Sequence, residues 1–335
     1  MPSVAQTFPR FYLNLGKNRQ AVDNGGFDVW QRGDVQSFVS GAIFADRWRF
    51  FTDSGDFYHT FAKHELKPSD GEVFGVTPNA LNITYVDMAG DGTYGYIEQT
   101  IPDVAFASGK YVSVGFYANA NPPVTLPKVS IVQDFGSGGN PSAPVETILG
   151  ADIPLTPSWG KYAMSALLPS IEGKTRGANY DDSLKLRIYL DPDVLFPVYN
   201  LTAIQFNIGP QILPFSPKGY YEELTRCKQF YERIPVAQYG YHCVGLAETD
   251  MTAALPFVFS PKYRPPHTIA LSAVSDFALT DGTSNKAISS VTPFNIQEAG
   301  AAFRVNTTTT NLTPTNIYAL VATATDAFIE ISADP

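Results

Sequence analysis

Between Asn24 and about Phe215 the chain is a succession of short runs in which apolar and polar residues alternate. Glycine, proline and asparagine cut these runs, and no helical periodicity separates them. That pattern leaves few folds open. Asn82 to Val86, Tyr94 to Ile101, Lys110 to Ala118, Lys128 to Val132, Lys161 to Leu167, Leu184 to Leu190 and Leu201 to Ile208 each read as a strand. Evenly spaced strands without crossover helices pair antiparallel, and a jelly-roll sandwich is the commonest form at this size. Gly90-Asp91-Gly92, between the first two runs, predicts a hairpin.

The periodicity changes once. Leu224, Cys227, Tyr231 and Ile234 recur at helical spacing within Lys218 to Ile234, with Glu222 and Glu223 near its start and Arg233 near its end. Pro217 and Pro235 bracket this segment. Its apolar stripe either packs on its own domain or forms a seam between subunits. Strand-like runs resume at Tyr239 to Ala247, Met251 to Ser260, Thr268 to Val274, Asn316 to Ala324 and Ala327 to Ser332. The expected fold is therefore all-β: an arm over 1–23, a jelly-roll β-sandwich over 24–216, a connecting helix over 217–236 and a smaller C-terminal β domain over 237–335. The arm carries Phe8, Phe11, Tyr12 and Leu13, which are costly to leave in water, so it reads as a docking segment or else as a free tail. No internal repeat suggests a β-helix.

Several function classes are disfavoured by composition. A net charge of −9 without any Lys/Arg run argues against nucleic-acid binding, which is built on cations neutralising phosphates. Two cysteines, Cys227 and Cys243, make neither a disulfide framework nor a metal motif. The first twenty residues lack the charged and apolar regions of a signal peptide, and no apolar run is long enough to span a bilayer. The chain is thus expected to be made in a cytosol, with its Asn-x-Thr sequons, including Asn82-Ile83-Thr84 and Asn200-Leu201-Thr202, unused.

No catalytic constellation stands out. Asp181-Asp182 and Asp191-Pro192-Asp193 read as solvated turn acids rather than as the separated carboxylates of a glycosidase. His59 and His64 fall on opposite faces of a strand, so no metal site is expected. Trp30 and Trp48 read as core residues with Arg32, Asp46 and Arg47 as charge partners, and Arg32-Gly33-Asp34 as a chance tripeptide. Tyr94, Tyr96 and Trp159 are the candidate platforms for a sugar ring, with ordinary strand packing as the alternative.

Asn24-Gly25-Gly26-Phe27-Asp28, Gln99-Thr100-Ile101, Gly109 to Ala118, Phe135 to Ser142 and Trp159-Gly160-Lys161-Tyr162 occur in an order that resembles jelly-roll carbohydrate-binding modules. Tyr221 to Tyr231 and Phe257 to Pro266 extend the likeness to phage tail-fibre proteins built on such a module. The match covers roughly residues 24 to 270. It implies a virion structural protein, commonly a homotrimer, that touches host-surface glycan without being an enzyme. The arm would dock to other virion proteins through Phe8, Phe11, Tyr12 and Leu13, and Leu224, Cys227, Tyr231 and Ile234 would serve subunit contact. A head-decoration or vertex-fibre protein with no receptor role is the alternative. Modules of this shape often hold calcium between an opening acid and an acidic pair on the last strand. Asp28 keeps the first, but Asn207-Ile208-Gly209-Pro210 lacks the pair, so no metal or other cofactor is implied.

Overall fold

The computed structural model describes residues 21–33, 35–38, 40–52, 57–88, 95–190, 197–263 and 268–334. Phe8, Phe11, Tyr12 and Leu13, the residues expected to dock the arm, lie outside them, as does Tyr94. The chain divides into two compact units, Met1–Lys218 and Gly219–Pro335, and both are built of antiparallel sheet.

The first unit is a jelly-roll sandwich of eleven described strands: β1 (Val35–Phe38), β2 (Trp48–Thr52), β3 (Phe57–Glu65), β4 (Asn79–Met88), β5 (Gly95–Pro102), β6 (Tyr111–Asn121), β7 (Val124–Asp134), β8 (Val145–Leu155), β9 (Gly160–Leu167), β10 (Ser183–Leu190) and β11 (Val198–Ile208). One sheet has the order β1-β3-β4-β11-β6-β9, the other β2-β5-β10-β7-β8. Their inner faces meet in a core that includes Trp48, Phe50, Phe61, Leu81, Ile97, Val114, Phe116, Ile188, Leu201 and Phe206. The period of two alternates side chains between that core and the outer faces, as Val112, Val114, Phe116 and Ala118 show along β6.

Gly90-Asp91-Gly92 lies outside the described residues, but the strands on either side of it do not pair with each other. β4 pairs with β3 and β11, whereas β5 pairs with β2 and β10, so the chain changes sheets between Met88 and Gly95. Local turn chemistry does not choose a strand's partner; that is set by which sheet its apolar face completes.

The opening motif is a clamp. Asn24 takes a left-handed conformation, with φ of 51°. Its amide donates to the carbonyls of Val29 and Asp46 and accepts from the Val29 amide, and its own carbonyl takes the Trp48 indole N–H at 3.1 Å. Gly25 lies against β11 so closely that a Cβ there would come 2.0 Å from the Ile204 carbonyl oxygen. Trp30 and Trp48 are core residues, and Arg47 donates to the Thr100 carbonyl within the same clamp.

In the second unit, helix α1 (Tyr220–Lys228) leads into β12 (Tyr231–Pro235). The long helix read over 217–236 is therefore corrected: Leu224 and Cys227 lie on α1, but Tyr231 and Ile234 belong to a strand. Pairing with β20 (Phe328–Ser332) overrides the local periodicity, and the Tyr231 hydroxyl bonds Glu330 at 2.6 Å. Cys227 and Tyr231 are interior residues of this unit, while Leu224 and Ile234 are half-buried. The unit continues through β13 (Tyr241–Ala247), β14 (Thr252–Val258), β15 (Thr268–Leu271), β16 (Phe277–Thr280), β17 (Asn285–Gln297), β18 (Gly300–Thr307) and β19 (Ile317–Ala322). These make a three-stranded sheet, β12-β20-β15, and a closed barrel, β13-β14-β18-β17-β16-β19. An enclosed ion pair, Glu232 to Lys262 at 2.7 Å, is completed by Ser260 and by Lys228, the last residue of the helix.

Candidate functional site

On the six-stranded sheet, Ala118, Ala120 and Leu201 face the core, so Tyr117, Asn119 and Asn200 face outward. Beside that outer face, the turn Pro68–Gly75 and the segment leading into β9 border a cleft of about 440 Å³. Asp70, Glu72, Tyr117, Asn119, Trp159 and Lys161 contribute its chemistry.

The cleft is braced from below. Trp159 and Tyr117 pack on a small apolar cluster of Leu66, Val73 and Ala80. The Trp159 indole N–H donates to Asp70 Oδ1 at 3.2 Å, while Asp70 Oδ2 accepts from the Lys67 amide at 2.7 Å. One carboxylate thus fixes both the turn and the indole ring. The Lys161 ammonium lies 5.8 Å from the centre of the Tyr117 ring, at the edge of cation–π range. An indole, a phenol ring, an amide, two carboxylates and an ammonium therefore share one opening. Both carboxylates come from the same short turn.

The three sugar-platform candidates do not converge. Trp159 lines the cleft, but Tyr96 is on the outer face of the other sheet, across the core. There its ring stacks on Phe51 at 5.4 Å, meets Tyr189 at 4.9 Å and carries the Arg187 guanidinium at 4.7 Å from its centre. Arg187 is in turn held by Glu98 at 2.7 Å. Burial first of all raises the Tyr96 phenol above its usual range, against the pull of Arg187. Protein groups therefore already occupy much of this ring's surroundings.

Other polar candidates are structural. Asp182 is buried rather than solvated, accepting from Arg176 at 2.6 Å and from the Val104 amide at 3.0 Å. Its neighbour Asp181 accepts from Ser137. Asp191 and Asp193 lie outside the described residues. His59 is buried between Phe50 and Phe61 on the core face of β3, and His64 is on the opposite face. Asp28 takes the Asn79 amide at 2.6 Å, and the Lys63 ammonium lies against its backbone carbonyl; burial raises its carboxyl above the usual range. The oxygen cage that a hard cation needs is not assembled by these groups. Among the described residues no cluster of three or more His, Cys, Asp or Glu is placed to hold a metal.

No protein-family model and no curated protein matches the chain. Solved structures similar to part of it include the enzymatically active domain of tailspike protein 4 from bacteriophage CBA120, at 14% identity and a TM-score of 0.36 over 57% of this chain. The match spans 22% of that tailspike chain. Two others are the CBM22-1 xylan-binding domain of Paenibacillus barcinonensis Xyn10C and the family 11 carbohydrate-binding module of Clostridium thermocellum Lic26A-Cel5E. Their identities are 10% and 11%, with TM-scores of 0.31 and 0.29. They cover 58% and 54% of this chain, and 96% and 99% of their own.

Proposed function

We propose that the chain is a virion structural protein of the tail-fibre kind that holds host-surface glycan in the Trp159 cleft without cleaving it. The observation that carries this reading is the cleft's composition. A braced indole beside Tyr117 offers an apolar face to the C–H face of a sugar, and Asn119, Glu72 and Lys161 offer hydrogen bonds to its hydroxyls. In support of binding without cleavage, Asp70 and Glu72 share a single turn, whereas glycosidases canonically set two carboxyls on either side of the bond. A homotrimer would multiply weak individual sites. In support, Leu246 and Ile317, paired across β13 and β19, and Val244 beside them are all more than half exposed.

The test is binding of labelled protein to an array of bacterial surface polysaccharides and neutral plant and bacterial glycans, with mass measured by light scattering. Saturable binding that free polysaccharide competes away is expected. Trp159→Ala should weaken it about thirtyfold or more, as loss of a central aromatic contact does, and Tyr96→Ala should leave it unchanged. A folded Trp159→Ala variant that binds like wild type removes the cleft from the function. Folded wild-type trimer that binds no glycan favours the head-decoration role, and release of reducing sugar would overturn the non-enzymatic part.

A further inference from the structure

We infer that the Trp159 cleft is one end of a longer groove, that Asn119, Asn200 and Asn82 form its floor, and that its ligand is a neutral, linear glycan lying across the strands. This rests on the glycan reading above and adds the shape and charge of the ligand.

The register of the sheet places the three asparagines in one row. Asn200 on β11 is directly opposite Asn119 on β6 and Asn82 on β4. Their amides form a ladder: Asn82 Nδ2 donates to Asn200 Oδ1 at 2.8 Å, and Asn200 Nδ2 donates to Asn119 Oδ1 at 2.8 Å. Thr84 closes the far end, its hydroxyl bonding Asn82 Oδ1 at 3.1 Å. At the near end Asn119 already lines the cleft. Ala118 is opposite Gly160, and continuing that register by one residue sets Asn119 beside Trp159. The row therefore reads Trp159, Asn119, Asn200, Asn82. Beyond it comes Ala62, too small to wall the groove off.

The dimensions suit a polymer. Three strand intervals make roughly 14 Å, and a pyranose repeat is close to one interval, so the row accommodates roughly three to four sugar residues. The chemistry suits hydroxyls. A primary amide has two N–H donors and two acceptor lone pairs, and the ladder consumes one donor on Asn82 and one on Asn200. What remains offers donors and acceptors together, which is what a hydroxyl pairs with. Because the amides already hold one another in place, little side-chain entropy is left to lose on binding. All three are half-buried on the outward side of the sheet, within reach of a ligand.

Charge narrows the class. The amide row is neutral, and the cleft sets two carboxylates against one ammonium. A polyanionic glycan would meet a like charge there.

The experiment measures affinity for linear glucan, xylan, mannan and galactan oligomers from disaccharide to hexasaccharide, with polygalacturonate as the anionic counterpart. Wild type, Trp159→Ala, Asn200→Ala and Asn82→Ala are compared after thermal melts establish that each is folded. Wild-type affinity should climb with length and level off near the tetrasaccharide. Asn200→Ala and Asn82→Ala should each lose about five- to tenfold on the tetrasaccharide and keep disaccharide binding, while Trp159→Ala loses both. A wild type with no gain on lengthening, asparagine variants that bind every length normally, or preference for polygalacturonate overturns the groove and leaves the cleft reading intact. Undiminished binding by Trp159→Ala, or no binding by wild type, overturns both. Asn82→Ala, at the far end of the ladder, serves if Asn200→Ala does not fold.

Discussion

Replacing Lys262 by methionine is expected to destabilise the second unit by about 3 kcal/mol, the lower end of the range for orphaning one member of a buried ion pair. The Lys262 side chain has no exposure, and its ammonium reaches Glu232 at 2.7 Å and the Lys228 carbonyl at 2.8 Å. Its loss leaves the Glu232 carboxylate enclosed, with Ser260 and the more exposed Lys228 as remaining partners, which is why the lower end applies. The two groups respond oppositely to the shared site. For Glu232, burial raises the carboxyl, but the bonds from Lys262 and Ser260 prevail and hold it below its usual range. For Lys262, burial prevails over Glu232 and pushes the ammonium down. The pair is thus assembled at a desolvation cost that the lysine does not recover. Removing both charges in Glu232→Gln/Lys262→Met keeps an acceptor for Ser260 and should return stability to within about 1 kcal/mol of wild type. Urea unfolding of wild type, both single variants and the double variant gives the coupling directly. A Lys262→Met variant as stable as wild type, or a double variant as unstable as Lys262→Met, would refute this reasoning.

Two other substitutions test different parts of the fold. Burial holds the His59 imidazole at about 4 instead of 6.5, so between those values the unfolded chain binds a proton that the folded chain refuses. Stability should therefore be lost as pH falls through that window, by about 3 kcal/mol in all, and His59→Phe should flatten this slope. Urea midpoints at neutral pH and at about pH 4.5 measure it, and equal slopes in variant and wild type would count against it. In the barrel, a Cβ added at Gly245 would come 1.9 Å from the Ala254 carbonyl oxygen, a backbone atom that cannot step aside. Gly245→Ala should cost about 3 kcal/mol or more, read as a lowered second-unit melting transition; a wild-type melt would mean that β13 and β14 do not approach so closely there.

Alternation located most strands of the sandwich because each has one face in the core, as Val112, Val114, Phe116 and Ala118 do along β6. The same logic could not find β17, whose side chains are largely exposed or half-buried, with Ile288 its one buried residue. Its Ser289, Ser290, Thr292 and Pro293 gave no alternating signal to read. The helix was overextended because the spacing from Cys227 to Tyr231 suits one helix face, while the partner strand that captures Tyr231 lies far downstream at Ser332. Trp159 could be singled out from composition, but its companions are assembled by the fold. Asn119 and Asn82 meet Asn200 from 81 and 118 residues away. A local trace of the row did exist. In Asn82-Ile83-Thr84 and Asn200-Leu201-Thr202, period two puts each Asn and its Thr on one strand face, so these two sequons mark outward polar stripes.

The place of β20 bears on how the protein is made. That strand, Phe328–Ser332, is the middle member of its sheet, hydrogen-bonded to β12 on one side and β15 on the other. Neither flanking strand has its partner until the ribosome has translated almost to residue 332, so the sheet cannot close early during synthesis. A message cut short before residue 328 yields a chain whose sandwich strands are all present but whose three-stranded sheet lacks its middle member. Two open strand edges would then mark the product for aggregation or proteolysis. Whether β12 and β15 are ever paired is thereby decided by a strand made after both of them.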